Sequence, residues 1–147
     1  MSKPTAPISP NVCVAARVRK ASRRITQIYD RRLEPYGLTV TQFGLLAQLR
    51  ASPGLAVSEL AEKMIMDATT LSRNLRPLER RGLILVEADR DDGRVRKLKL
   101  SAAGRTSLEH ALVGWKEAQR QVEESLGVEE TRALNASLDR MLDRLAV

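Results

Sequence analysis

Apolar residues recur at helical spacing near both ends of this chain. Intervals of three and four predict one long helix from about residue 11 to residue 34, with an apolar stripe of Val14, Val18, Ala21, Ile25, Ile28 and Leu33. After residue 101, two further stripes predict two helices that Gly127 separates. They consist of Leu108, Leu112, Trp115, Ala118, Val122 and Leu126, and of Leu134, Leu138, Met141, Leu142 and Leu145. Because no central core remains for faces this long to cover, we expect these terminal helices to pack on a second copy of the chain.

The central part of the chain predicts three shorter helices. Thr39 and Gln42 have the spacing of a capping box, which starts the second helix. Ser58 is expected to cap a short third helix and Asp67 a fourth, since both side chains can accept a hydrogen bond from the backbone of a first helical turn. Gly82 is expected to close the fourth helix.

Residues 83–100 predict a β-hairpin directly after the fourth helix. Segments 83–86 and 94–100 favour strands, and residues 89–93 form the expected tip. Gly93 is expected to supply the positive φ of a tight hairpin turn. Helix, turn, helix and hairpin in this order predict a mainly α fold with a small β-hairpin wing, that is, a winged helix-turn-helix.

The outer face of the fourth helix carries hydroxyls and guanidinium groups. At ~100° per residue, Leu71, Leu75 and Leu78 fall on one side, and no carboxylate falls on the opposite side. We predict that this outer face contacts DNA through Thr69, Thr70, Ser72, Arg73, Arg76 and Arg80. Arg73 is the best candidate to read a guanine, because its fork can bond O6 and N7 together. The alternative is an ordinary basic face exposed to solvent.

The hairpin tip mixes acidic residues with arginines. Arg90, Arg94 and Arg96 are predicted to contact DNA. Arg90 or Arg94 projects from the tip, since an arginine on a thin loop can enter a narrow minor groove, and Arg96 lies on the returning strand near the phosphates. Asp92 is predicted to hold Arg94 or a neighbouring arginine in position.

The charge of the 147 residues fits a polyanionic partner, because the formal net charge is +7. Residues 1–36 carry a net charge of +6 and residues 101–147 a net charge of −2, which favours contact between the two ends, within one chain or across a dimer. Two solvated helix faces are the alternative. An aromatic share of 3% argues against stacking on single-stranded nucleic acid, so double-stranded DNA is the expected partner.

Several other classes of protein are disfavoured. The single cysteine excludes an internal disulfide, and the first ten residues lack the apolar run of a signal peptide. No stretch reaches the ~20 apolar residues of a membrane span, so we expect a cytoplasmic protein with no membrane partner. No nucleophile with its base, glycine-rich phosphate loop or metal-spaced set of His and Cys residues is visible, so the sequence predicts neither an enzyme nor a cofactor or metal site.

Four parts of the sequence resemble the MarR family of bacterial transcriptional regulators. They are LTVTQF at 38–43, LAEK at 60–63, LSRNLRPLERRGLI at 71–84, and DGR at 92–94 followed by LSAAG at 100–104. The resemblance implies one domain over residues 1–147, in which 38–100 form the winged-helix DNA-binding lobe and 11–36 and 101–147 form the helices of a homodimer. It also implies a pseudo-palindromic operator, bound usually by a repressor that a small molecule or oxidation releases. Arg94 occupies the family's wing-tip arginine position, and Asp92 occupies that of its supporting acidic residue.

Two signals compete as the trigger of DNA release. A small aromatic or carboxylate ligand is expected between the dimer helices and the DNA-binding lobe, near Arg17, Arg24, Phe43, His110 and Trp115. Oxidation of Cys13 is the alternative, because one branch of the family uses a reactive cysteine near the start of its first helix. That branch adds tyrosines, which Cys13 lacks nearby, and a buried, inert cysteine is the commoner state. A regulator that senses nothing and a winged helix that binds proteins are the remaining alternatives.

Overall fold

Six α-helices and three short strands form the part of the chain that the computed structural model describes, residues 9–146. The helices are α1 (Val14–Leu33), α2 (Val40–Ala51), α3 (Val57–Met64), α4 (Ala68–Arg80), α5 (Ala102–Leu126) and α6 (Val128–Arg144). The strands are β1 (Leu55–Ala56), β2 (Ile84–Ala88) and β3 (Arg96–Leu100), which pair antiparallel in the order β1–β3–β2. Single 3₁₀ turns precede α1 at Pro10–Val12 and follow it at Glu34–Tyr36. The predicted fold class is confirmed. Across the described range, no helix combines the length and the apolar character that crossing a membrane requires.

Two local devices fix the turn between α1 and α2. Gly37 takes a left-handed φ of +69° as the chain leaves the 3₁₀ turn. Thr39 then caps α2: its Oγ1 accepts from the N–H of Gln42 at 3.1 Å, and Gln42 Oε1 accepts from the N–H of Thr39 at 3.1 Å. The predicted capping box is confirmed. Asp30 Oδ1 also accepts from the N–H of Val40 at 2.7 Å, which joins the end of α1 to the start of α2.

The N-cap of α3 differs from the predicted one, and the N-cap of α4 agrees with it. Ser58 does not cap α3, because Ala56 occupies the N-cap position and Glu59 Oε2 accepts its N–H at 2.7 Å. Alanine has no side-chain oxygen, so only the glutamate half of a capping box is formed. Asp67 caps α4 as predicted, with Oδ1 accepting from the N–H of Thr70 at 2.8 Å.

The wing differs from the predicted hairpin at its tip and by an additional strand. β2 and β3 are paired along their whole length, and the tip spans residues 89–95. A tip of this length does not need a two-residue turn, and the prediction of a positive φ at Gly93 is wrong. β1 pairs with β3 on the other side, with Leu55 opposite Leu98. The sequence pattern does not predict β1, because two residues are too few to show alternation.

The core lies where α2, α4, the sheet and the first half of α5 meet. The largest fully buried side chains are Leu33, Leu45, Leu46, Leu49, Leu60, Leu71, Leu78, Ile84, Leu98 and Leu108. α5 approaches its neighbours most closely at two glycines: a Cβ on Gly104 would collide with the Leu83 carbonyl, and one on Gly114 with the Arg32 carbonyl. α5 is therefore in backbone contact with both the start of the wing and the end of α1.

The N-terminal half of α1 and the C-terminal end of α6 leave apolar side chains exposed. Val14 is 66% exposed, Leu142 50% and Leu145 68%. α1 reaches the core only through its C-terminal half, where Tyr29 and Leu33 are buried. The exposed positions belong to the stripes that the sequence pattern identifies, so these stripes extend beyond the surface that a single chain buries.

Candidate nucleic-acid interface

Burial separates the two faces of α4. Leu71, Leu75 and Leu78 are buried against the core, as the helical spacing predicts. The opposite face forms a shallow depression of about 400 Å³, lined by Ala68, Thr69, Ser72, Arg73 and Arg76. Arg80 is exposed one helical turn beyond Arg76. Hydroxyls and guanidinium groups on one exposed surface suit the phosphates and base edges of a DNA groove.

Thr70 is engaged in the cap of α4, although the sequence suggests a DNA contact for it. Its Oγ1 donates to Asp67 Oδ2 at 2.9 Å, in addition to the N–H bond to Oδ1, and its carbonyl accepts from Asn74 Nδ2 at 2.9 Å. The N–H and then the hydroxyl of Thr70 hold the pKa of Asp67 below its ordinary value. The carboxylate is therefore charged at neutral pH, which suits the N-terminus of a helix.

The wing presents three exposed arginines around a tip that Asp92 supports. Arg90, Arg94 and Arg96 are all exposed. Asp92 Oδ1 accepts from the backbone N–H of Arg94 at 3.0 Å, and the Asp92 carbonyl accepts from the N–H of Val95 at 3.0 Å. Asp92 therefore positions Arg94 through its backbone, and this hydrogen bond does not engage the guanidinium.

One lysine of the returning strand is paired within the wing. Lys99 Nζ lies 2.9 Å from Glu87 Oε2, and both side chains are about half exposed. Such an exposed pair adds little to stability. It does partly neutralise Lys99, so the positive charge of β3 is concentrated at Arg96 and Lys97.

Ser101 fixes the wing relative to α4. Its Oγ donates to the Gly82 carbonyl at 2.6 Å, and its N–H donates to the Leu83 carbonyl at 3.1 Å. The same Oγ accepts from the N–H of Gly104 at 3.0 Å, as the N-cap of α5. The sequence predicts that α5 begins at Ser101. It does not reveal the bond to Gly82, because that contact depends on how the chain returns after the hairpin.

The structure does not bring the five predicted ligand residues together at one site. The rings of Phe43 and Trp115 are stacked, with centroids 6.1 Å apart and 9° between their planes. His110 precedes Trp115 by five residues, which places it about 140° away around α5. His110 is exposed and lines a depression between α5, the end of α4 and the 3₁₀ turn that follows α1. Arg17 and Arg24 are exposed on the N-terminal half of α1.

A partly buried hydrogen bond lies beside the stacked rings. The hydroxyl of Tyr29 donates to Gln119 Oε1, and Gln119 Nε2 donates to Glu123 Oε1 at 2.9 Å. Burial, and then the negative charge of Glu123, raises the pKa of Tyr29 above its ordinary value. The hydroxyl is therefore a donor at neutral pH, and it joins α1 to α5.

Cys13 is exposed at the N-cap of α1, so the expectation of a buried cysteine is wrong. Its carbonyl accepts from the N–H of Arg17 at 3.2 Å, while Arg17 Nε donates to the Asn11 carbonyl at 2.7 Å. This guanidinium is therefore bonded to the 3₁₀ turn that precedes α1. From residue 9 to residue 146, no three histidine, cysteine, aspartate or glutamate side chains are grouped so that they could hold a metal ion.

Comparison with known sequences agrees with this arrangement. The sequence model of the MarR family matches residues 38–95. An HTH-type transcriptional repressor of Mycobacterium tuberculosis is 30% identical over 109 residues, which cover 74% of this chain and 78% of the repressor. An HTH-type transcriptional regulator of Bacillus cereus is 31% identical over 96 residues, which cover 65% of this chain. The match spans 63% of the length of that regulator.

A solved structure extends the similarity over most of the fold. The crystal structure of the M. tuberculosis transcriptional regulator MosR in complex with DNA has a TM-score of 0.77 and 37% sequence identity. The similarity covers 92% of this chain and 99% of MosR. It therefore includes the long terminal helices as well as the segment from α2 to the wing.

Proposed function

This chain belongs to the MarR family of transcriptional regulators, which are not enzymes, and on that premise we propose that it is a DNA-binding repressor. It binds a pseudo-palindromic operator as a homodimer, with α4 of each protomer in the major groove of one half-site. A small organic ligand releases it from the DNA. Its place of action is the cytoplasm, where the bacterial chromosome lies.

The outer face of α4 is the observation that carries this proposal. Thr69, Ser72, Arg73 and Arg76 form one exposed surface that includes no carboxylate. A helix face made for solvent mixes both signs of charge, and a protein-binding face offers apolar anchors at its centre. In the bound state, Arg73 reads a guanine in the major groove, whereas Arg94 on the wing enters the minor groove.

The remaining DNA contacts are to phosphates. Arg76 and Arg80 continue the positive face of α4 toward its C-terminus, and Arg90 and Arg96 lie on either side of the wing tip. Thr69 and Ser72 have hydroxyls that suit phosphate oxygens or a thymine methyl group. Thr70 acts on DNA indirectly in this proposal, because its hydroxyl holds Asp67 at the start of the helix.

The exposed stripes of α1 and α6 support a homodimer. Val14, Leu142 and Leu145 are each at least half exposed, and Val18 is 38% exposed. A second copy of the chain would remove this apolar surface from water. Charge supports the same arrangement, since the segment 1–36 is strongly basic and the segment 101–147 is net acidic.

The spacing of two half-sites offers a mechanism for release by a ligand. A dimer reads half-sites about 34–36 Å apart, so a ligand that favours another spacing of the two α4 helices disfavours the operator complex. The ligand binds where the terminal helices meet the winged-helix lobe. Phe43 and Trp115 would line it from the lobe and α5, with Arg17 and Arg24 of α1 as candidate cations, whereas His110 lies on another side of α5.

A thiol switch is a second candidate for the trigger, because Cys13 is exposed and not buried. Reactive cysteines of redox sensors are accessible to oxidants. Cys13 lies at the first turn of α1, the same helix that carries the exposed Val14 and Val18. A change at this thiol would therefore act directly on the proposed dimer contact.

A mobility-shift assay tests the proposal of DNA binding. The full chain is titrated onto the DNA upstream of its own gene and onto a shuffled duplex of the same composition, at two salt concentrations. We expect preference for the upstream DNA, and binding that weakens as salt rises because phosphate contacts release counterions. Arg73→Ala should reduce the preference, whereas Lys116→Ala, an exposed lysine on α5, should not. Equal binding to both duplexes would refute specific recognition, and binding to neither would favour the protein-interaction alternative.

A further inference from the structure

A further depression lies where the end of α4 meets α5. It has a volume of about 500 Å³ and lies between the 3₁₀ turn that follows α1, the end of α4 and the first three turns of α5. Small-molecule sites commonly have volumes of ~300–1,000 Å³. Its polar lining residues are Tyr36, Arg81, Thr106, Ser107 and His110. We call this feature the Arg81 depression.

Arg81 brings a positive charge to the depression and is itself held in place. It is the C-cap of α4, with its N–H donating to the Pro77 carbonyl at 3.1 Å. Its Nη1 donates to the Gly37 carbonyl at 2.6 Å. A Cβ on Gly37 would lie 3.1 Å from Nη2, so the absence of a side chain there gives the guanidinium its room. Because a guanidinium has five N–H donors, this bond leaves others for a ligand.

The rest of the lining favours a ligand with acceptor atoms. No lining residue is acidic, and Ser107 and His110 offer further hydrogen-bonding groups on α5. The Thr106 hydroxyl is less available as a donor, because it donates to the Ala102 carbonyl at 3.2 Å. A guanidinium fork binds a planar carboxylate through two parallel hydrogen bonds.

The same depression has apolar surface for the carbon skeleton of a ligand. Leu83 and Ala103 line it together with the ring of Tyr36. An aromatic acid would place its ring against these groups and its carboxylate at Arg81. Apolar walls with a few convergent polar groups are typical of small-ligand sites.

We propose that the Arg81 depression binds a small organic carboxylate, with the Arg81 fork on its two oxygens and Ser107 and His110 as additional partners. The site itself stands on the geometry above, whereas its effect on DNA rests on the proposed function. In that function it supplies the cation for an acidic ligand at the end of α4, in place of Arg17 or Arg24 on α1. Because Arg81 directly follows Arg80 of α4, a carboxylate held between the remaining donors of its guanidinium and Ser107 and His110 of α5 changes how the end of the recognition helix is supported.

Benzoate and benzamide form a matched pair of probes for the binding step. The two have nearly the same shape, and only benzoate carries a carboxylate. Each is titrated into the full-length protein without DNA, and binding is followed by ligand-observed NMR. We expect benzoate to bind in the millimolar range or tighter and benzamide at least about tenfold more weakly, because a charge-assisted pair is replaced by neutral bonds. Equal binding of the two probes, or no binding of benzoate, would overturn the proposal.

Variants locate the binding in the protein. Arg81→Gln should weaken benzoate binding about tenfold or more. Since this change also removes the bond to Gly37, a second variant combines Ser107→Ala with His110→Ala, which leaves that bond intact. It should weaken benzoate binding as well. Arg105→Gln is the control, because Arg105 is an exposed arginine on the same helix that lines a different depression. Unchanged affinity in both test variants, or an equal loss in the control, would refute the site.

An experiment with DNA distinguishes this inference from the proposed function. Benzoate is added to the complex of the protein with its upstream DNA, with the wild-type chain and with the variant that combines Ser107→Ala and His110→Ala. Release of wild-type protein at a lower benzoate concentration than the variant requires would support both the site and its coupling to DNA. Binding of benzoate at the depression without release would refute the coupling and leave the site. Failure of the chain to bind DNA at all would refute the proposed function, while the DNA-free titrations would still decide the site.

Discussion

Trp115 of α5 lies face to face with Phe43 of α2, with their ring centroids 6.1 Å apart and 9° between the ring planes. Tyr29 of α1 packs against the same indole at a centroid distance of 6.5 Å and an angle of 54°. Three helices therefore meet at one aromatic cluster. Two of them, α1 and α5, extend toward the exposed stripes, and the third belongs to the winged-helix lobe. The cluster is thus the junction between the two parts of the fold.

Removal of the indole should destabilise the fold. Trp115→Ala deletes a large, partly buried ring from this junction, and we expect a loss of about 3 kcal/mol in the free energy of unfolding, at the lower end for such substitutions. Trp115→Phe keeps an aromatic ring against Phe43 and should cost about 1 kcal/mol. Urea unfolding followed by circular dichroism measures both. A midpoint that is the same for Trp115→Ala and the wild type would show that the stack does not support the fold.

The chain should be a homodimer at micromolar concentration. Charged residues on the exposed stripe of α6, Leu142→Glu with Leu145→Glu, should produce monomers and weaken DNA binding, because a buried unpaired charge is costly. Leu85→Glu is the control, since Leu85 is 47% exposed on the wing and not on a terminal helix. Light scattering measures the mass of each protein. A monomeric wild type, or dimers of unchanged stability in the α6 variant, would contradict the proposed interface.

Arg73 and Arg94 should differ in what they read. Arg73→Ala should cost about 1–3 kcal/mol in binding free energy and relax the preference at one base pair of each half-site. Arg94→Ala should weaken binding mainly where the flanking DNA is rich in A·T pairs, because a narrow minor groove attracts arginine. Competition with a library of operator variants separates the two effects. A uniform loss over all sequences for both variants would mean that each arginine contacts only phosphate.

Cys13→Ser should decide between the two triggers. If a ligand is the trigger, this variant keeps its affinity for DNA and its full response to that ligand. If oxidation is the trigger, peroxide releases the wild-type protein from DNA and does not release the variant. The exposed thiol makes the experiment informative, because an oxidant can reach it without unfolding the chain. Mobility shifts with and without peroxide give the answer.

Asp67 should make a stability contribution that is lost in acid. Its pKa is lowered in the folded chain, first by the N–H of Thr70 and then by the Thr70 hydroxyl. The contribution is therefore present above the unfolded pKa of about 4 and disappears as the pH falls through the folded pKa. Asp67→Asn keeps a capping oxygen without the charge, so the wild type should have the higher Tm at pH 7, and this advantage should shrink steadily as the pH falls below about 4. A Tm difference that does not shrink as the pH falls below about 4 would contradict the assigned cause.

Local signals in the sequence predicted most of the fold. Thr39, Asp67 and Ser101 start their helices as predicted, because a cap depends on side chains within the same turn. Ser58 is a good capping residue that stands two residues after the actual N-cap, Ala56, and Glu59 accepts the N–H of Ala56 instead. The faces of α4 also followed from spacing alone, since a helix fixes the angle between its residues.

Local sequence signals do not predict contacts between segments that are distant along the chain. The bond from Arg81 to Gly37 joins residues 44 positions apart, and no periodicity indicates it. The five predicted ligand residues were grouped by chemistry, whereas the turn of α5 directs His110 and Trp115 to different sides. The turn at the wing tip was predicted wrongly, because the number of residues between the two strands determines the turn and the sequence did not place the strand ends accurately enough.

The close contacts of Gly104 and Gly114 fix α5 against the wing and against α1. The helix rests on backbone carbonyls at both positions, and backbone does not yield as a flexible side chain does. A tilt of α5 would therefore have to displace the backbone at Leu83, where the wing begins, and at Arg32 near the end of α1. Even an alanine at either position would lift the helix from its support. The register of α5 against the wing and against α1 thus depends on the absence of a side chain at these two positions.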